Sequence, residues 1–118
     1  MNKLDVRHVR AELEATYPDC HVVVAEDERE MVAEIGAGFA VAVIERSAAH
    51  FHRETTETYH VLRGTLLVAR GGEGHVLGQG DSITIERGQI HSAQATGEPA
   101  WLEVESTPPW TAADHFIL

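Results

Sequence analysis

Two histidines stand one residue apart in Ser47-Ala48-Ala49-His50-Phe51-His52-Arg53-Glu54. In an extended chain, positions i and i+2 project to the same face, so the imidazoles of His50 and His52 converge on one point, which suits a divalent metal. Glu57 follows a short polar bend, Arg53-Glu54-Thr55-Thr56, and a turn there returns its carboxylate to the imidazoles. A fourth candidate ligand, His91, comes much later, after the turn Glu86-Arg87-Gly88-Gln89. Three imidazoles and one carboxylate form a borderline nitrogen and oxygen set that suits Mn, Fe, Co, Ni, Cu or Zn, and an octahedral ion with four protein ligands keeps two positions open for chemistry.

The elements that must aim these residues are mostly strands. Beyond Asp19 the chain runs in short segments rich in Val, Ile and Ala, separated by Gly-rich or charged turns, which reads as an all-β sandwich or barrel. Strands are expected at His21–Ala25, Glu30–Ile35, Phe39–Glu45, Tyr59–Ala69, His75–Leu77, Ser82–Glu86, His91–Ala95 and Trp101–Glu105. Turn chemistry at Gly36-Ala37-Gly38, Gly71-Gly72, Gly78-Gln79-Gly80-Asp81 and Gly97-Glu98-Pro99 supports them. Before them, Val6, Val9 and Leu13 recur at helical spacing, with Pro18 soon after, so a short amphipathic helix is expected over about 5–16. Pro108-Pro109 ends the last long strand. The tail from Trp110 to Leu118, with its apolar Phe116-Ile117-Leu118, is expected to fold back over an edge or dock on a partner.

The ligand spacing resembles that of the cupins. Their first motif, a His-x-His pair, three or four residues, a Glu, six residues and a Gly, is matched by His50, His52, Glu57 and Gly64; their second resembles Gly80, Glu86-Arg87-Gly88 and His91. Fifteen residues separate Gly64 from Gly80, which is similar to the short spacer of small microbial cupins. Ile44 departs from the family's leading Gly, Glu86 from its Pro and Ala95 from its terminal Asn, none of them a ligand position. The segment Thr58–Leu66 is similar to the central strand of the mannose-6-phosphate-isomerase-like small cupins, a group of many chemistries. The tail Ser106-Thr107-Pro108-Pro109-Trp110, with Asp114-His115, looks like the end of small bacterial cupins, which often helps form a dimer. The resemblance implies an antiparallel double-stranded β-helix, or jelly roll, with the short helix before it. It also implies a mononuclear metal site on His50, His52, Glu57 and His91. Residues 1–118 are then one domain, with the barrel over about 19–109 and the tail at 110–118.

Other residues carry weaker signals. Tyr59 shares the parity of Glu57, so it is a candidate hydrogen-bond donor or proton shuttle, although core packing is the commoner role. His60 has the opposite parity and is expected at the surface. Glu103, between Leu102 and Val104, is a candidate general base if it faces the barrel mouth and a solvated charge if it does not. Arg46, Arg63 and Arg87 could clamp an anionic substrate but more commonly serve the surface. His8, His21, His75 and His115 have no ligand spacing and are expected at the surface. Ala40, Ala42, Ala93 and Ala95, if inward, leave volume for a ligand near the metal.

Composition narrows the partners. The 118 residues carry 9 Lys plus Arg against 19 Asp plus Glu, a formal net charge of −10, with no basic cluster to hold a phosphate backbone or an anionic membrane surface. No apolar run is long enough to span a bilayer, and the first residues lack the apolar core of a signal peptide. With Cys20 as the only cysteine, a reducing cytoplasm fits. Two function classes follow. One is a metal-dependent enzyme on a sugar-like or other oxygenated small molecule, of isomerase, epimerase or oxygenase type. The other is a non-catalytic module binding a small sugar or carboxylate. A small sandwich leaves strand edges to cover, so a two-fold homodimer is expected.

Overall fold

The computed structural model describes residues 3–118. In chain order the elements are α1 (Val6–Thr16), β1 (His21–Val24), β2 (Glu30–Gly36), β3 (Phe39–Ile44), β4 (Arg46–Phe51), β5 (Thr56–Arg63), β6 (Leu66–Arg70), β7 (Glu73–Leu77), β8 (Ser82–Ile85), β9 (His91–Ala95), β10 (Ala100–Thr107), a 3₁₀ turn (Ala112–Asp114) and β11 (Phe116–Ile117). The strands form two antiparallel sheets, one ordered β1-β2-β3-β10-β5-β8 and the other β11-β4-β9-β6-β7, the layout of a jelly roll.

Alternation decides what each strand contributes. Along β5, Glu57, Tyr59 and Val61 are buried while Thr56, Thr58 and His60 are more exposed, so one face of the strand supplies the interior. β3 shows no such alternation because both of its faces are covered. Ala42 and Ile44 pack between the sheets with Leu66, Val68, Ile85 and Leu102, whereas Val41 and Val43 pack outward with Met31, Ala33 and Trp101. That outer cluster is closed by α1. Its N-cap, Asp5, accepts a hydrogen bond from the His8 amide at 3.1 Å, and Val9 and Leu13 bury its apolar face. Ahead of the helix, the Leu4 amide donates to Glu45, whose carboxylate also pairs with Arg29.

Two features differ from the sequence expectation. The run Tyr59–Ala69 is two strands, because the chain crosses between the sheets at Gly64-Thr65. Gly64 has φ of +89°, and a Cβ there would lie 3.1 Å from the Ala100 Cα, so both conformation and space call for glycine. Residues 46–51, which lack a β-rich composition, form β4, recruited by pairing with β9 and β11. The tail takes the first of its two expected courses and folds back: Phe116 pairs with Phe51 and Ile117 with His50, closing one edge of the five-stranded sheet.

A candidate metal centre

His50 and His91 are direct cross-strand partners on β4 and β9, which fixes two imidazoles side by side. His52 lies just past the end of β4, and Glu57 enters from β5, opposite Ile85 on β8 and Ser106 on β10. The polar bend between them is held from a distance. The carboxylate of Asp114 accepts from the backbone N–H groups of Arg53 at 2.7 Å, Glu54 at 3.0 Å and Thr55 at 3.1 Å. Burial alone would raise the Asp114 carboxyl, but these donors hold it below the usual carboxylate range. Before His91, the Gln89 side chain accepts from the Glu86 amide at 2.8 Å, and the Gly88 amide donates to the His52 carbonyl at 2.6 Å. The turn is thus fixed without the proline that Glu86 replaces.

The four side chains are buried, and one ligand atom from each lies within 4.8 Å of the others. Each imidazole has its Nδ1 on a backbone carbonyl: His50 on Ala48 at 2.7 Å, His52 on Asp114 at 2.7 Å and His91 on Gln89 at 3.0 Å. A carbonyl only accepts, so Nδ1 carries the proton and each Nε2 presents a lone pair. Nε2 of His52 and His91 lie 3.2 and 3.4 Å from Oε1 of Glu57, and all three atoms are buried without a hydrogen-bond partner. Such buried acceptors are costly unless a cation joins them, so the donor set fits a divalent transition metal.

Electrostatics prepares most of the set for ligation. Burial, with His91 beside it, pushes His50 down to about 4, so it is neutral at physiological pH. Glu57 would be raised by burial, but the facing imidazoles of His52 and His91 lower it to about 2. Burial would lower His52, yet Glu57 and the Asp114 carbonyl outweigh it and raise its pKa.

A cavity of about 500 Å³ opens beside the cluster. Its walls include Val32, Ala40, Ala42, Ile44 and Val104, with the exposed Trp110 at the rim. Tyr59 both packs in the inter-sheet core and lines this cavity, its ring edge-on to His91 at 6.4 Å. Burial, then the charges of Glu57 and Glu30, hold its phenol well above the usual value, so it stays a hydrogen-bond donor.

Glu103 does not reach the site. Leu102 and Val104 face the interior, which leaves Glu103 on the outer face of β10 between Val41 and His60. His60 is on that face too, bonded to Ser82 at 2.6 Å. Ala93 and Ala95 are inward and pack in the core. None of the three arginines lines the cavity: Arg63 pairs with Glu12 and covers Trp101, Arg46 lies 4.0 Å from Asp27, and Arg87 is exposed.

Two cavity residues escaped the sequence reading. His115, expected at the surface, stacks on His50 with ring centroids 4.6 Å apart and accepts from the Trp110 indole N–H at 3.3 Å. Its signal was the polar Asp114-His115 pair set against an apolar tail that had to dock. Glu30 shares a face of β2 with Val32 and Glu34, and all three line the cavity. A Glu-x-Val-x-Glu face reads as solvent, because a polar cavity and water leave the same pattern. Burial, with Glu57 and Asp27 adding to it against a hydrogen bond from Ser47, raises Glu30 to about 7.

Comparison with known proteins agrees with this fold. The sequence model of the cupin domain matches residues 37–105. Comparison with the sequences of curated proteins finds no match. Among solved structures, a point variant of Pac13 of Streptomyces with uridine bound superposes with a TM-score of 0.74 at 13% identity, covering 86% of each chain; another structure describes Pac13 as a nucleoside dehydratase. KdgF from Halomonas gives a TM-score of 0.66 at 15% identity over 79% of this chain and 89% of that one. A variant of the Bacillus subtilis oxalate decarboxylase OxdC gives 0.69 at 18% identity, over 86% of this chain and 31% of that one.

Proposed function

The chain belongs to the cupin family, and from that membership we propose a small enzyme that holds one divalent transition metal on His50, His52, Glu57 and His91. Its substrate is a sugar-like or other oxygenated small molecule, and its reaction is of isomerase, epimerase or oxygenase type. The single observation that carries this reading is the buried, partnerless trio of His52 Nε2, His91 Nε2 and Glu57 Oε1. When bound, the ion supplies Lewis-acid polarisation of a carbonyl or hydroxyl oxygen. The protein supplies the rest. Tyr59 donates a hydrogen bond from the cavity wall, the apolar strands exclude water, and the carbonyls of Ala48, Asp114 and Gln89 orient the imidazoles. Glu103 has no part in proton transfer, since it lies on the far face of its strand. The proposal includes a single domain, a cytoplasmic location and a two-fold dimer with no nucleic-acid partner.

Elemental analysis of protein purified without chelators or an affinity tag, beside His52→Ala, tests the centre. About one equivalent of metal in the parent and little in the variant supports it, and the metal found directs the assays. Uridine is the first ligand to try, because Pac13 binds it within the same fold. Equal, negligible metal in both proteins, with no better uptake of added ions by the parent, would overturn the reading and leave a metal-free binding module.

A further inference from the structure

The charge and texture of the cavity specify what can enter it. Among the described residues that line it there is no lysine or arginine, while Glu30, Glu34 and Glu57 all do. A phosphate dianion brought there would be desolvated beside Glu30 and Glu34, with no guanidinium or ammonium to receive it and only the ion of the ligand quartet to offset that cost. The walls also include Val32, Phe39, Ala40, Val104 and Pro109, with the exposed Trp110 among them, which accommodate an apolar, flat-faced molecule. Set into this wall, Glu30 is partly buried, fixed on β2 by the pairing of its backbone with Ile44, and hydrogen-bonded by Ser47 from β4. The charged and titratable groups facing it are Glu57 and Tyr59 from β5 and Asp27 from the β1–β2 turn, none of them cationic. Its carboxyl is held near neutrality, where it both accepts and returns a proton.

We propose that Glu30 is the residue that recognises a hydroxyl of the substrate, and that the cavity selects uncharged, flat-faced hydroxylated molecules over phosphorylated ones. This rests on the metal-enzyme reading, because a second oxygen of the same molecule would be held at the His50, His52, Glu57 and His91 cluster. The hydroxyl donates to the Glu30 carboxylate, and if its O–H bond breaks, the proton moves to that carboxylate while the electron pair stays on the substrate oxygen.

Calorimetric titration of the zinc-loaded protein with catechol and with phenyl phosphate, which share a ring and differ in charge, tests the idea. The parent should bind catechol one to one and at least about tenfold more tightly than phenyl phosphate. In Glu30→Gln, loss of a charge-assisted hydrogen bond should weaken catechol about tenfold, while loss of the negative charge should strengthen phenyl phosphate. Glu30→Asp should recover part of the parent's preference. General damage to the fold would weaken both probes together, and that result overturns the proposal. So would equal affinity of the parent for the two probes, failure of the parent to bind catechol, or an unchanged preference in Glu30→Gln. If the parent retains no more zinc than His52→Ala, it is the metal reading that fails. The two probes are then compared on metal-free protein, where the opposed shifts in Glu30→Gln decide the selectivity on its own.

Discussion

The backbone carbonyl of Asp114 lies 2.7 Å from Nδ1 of His52, a contact between residues 62 positions apart. The same residue's carboxylate gathers the amides of Arg53, Glu54 and Thr55, so the tail fixes both the tautomer of one ligand and the bend that delivers Glu57. Secondary partners of this kind commonly contribute 10- to 100-fold to metal affinity. Asp114→Ala, which strips the carboxylate and loosens the tail, should therefore weaken zinc by at least about tenfold in a competition titration with a chelator. Unchanged affinity would mean that the imidazole is held by β4 alone.

His115 touches the centre without belonging to the ligand quartet. It stacks on His50, and its Nδ1 is engaged by Trp110. Replacing His115 with Ala should leave one equivalent of metal bound and change affinity by no more than a few fold, in contrast to His52→Ala. Loss of the metal from His115→Ala in elemental analysis would make it a fifth ligand.

Metal uptake should depend on pH through His52. Glu57, near 2, and His50, near 4, are already in their ligand forms at pH 5, whereas the raised pKa of His52 keeps it protonated there. A metal must displace that proton, so affinity falls by roughly tenfold for each pH unit below the His52 pKa. Zinc titrations at pH 5 and pH 8 should show much weaker binding at pH 5, with proton release on binding. Equal affinity at both would place His52 outside the ligand set.

Much of this was legible from residue spacing. His50 and His52 needed only strand periodicity and Glu57 one turn, His91 joined them through the resemblance to the cupin motifs, and the alternation around Tyr59 placed that residue on the ligand face. What escaped depended on contacts distant in sequence. β4 is a strand because β9 and β11 flank it, and nothing in Arg46-Ser47-Ala48-Ala49 announces that. His115 reaches the site because the tail reverses. Glu103 could be placed only after β10 was known to carry Leu102 and Val104 inward, with Trp101 under the helix. Glu30 was hidden for a subtler reason, since its strand turns an apolar face outward to α1 and a polar one inward.

That inversion has a thermodynamic signature. A carboxyl raised from 4.5 to about 7 on folding favours the protonated native state. Its contribution is complete below the unfolded pKa and is lost as pH rises from about 4.5 through 7, where the native state must hold an unwelcome charge. At about 1.36 kcal/mol per pKa unit, the cost above pH 7 is at most about 3 kcal/mol. Glu30→Gln removes the charge while keeping a hydrogen-bonding amide of nearly the same shape. In metal-free protein it should therefore raise the melting temperature at pH 8 by several degrees and change it little at pH 4.5, as thermal unfolding followed by circular dichroism at the two pH values would show. A variant less stable than the parent at pH 8 would mean that Glu30 is held there as a well-solvated carboxylate, and the polar wall would then be an extension of the solvent face.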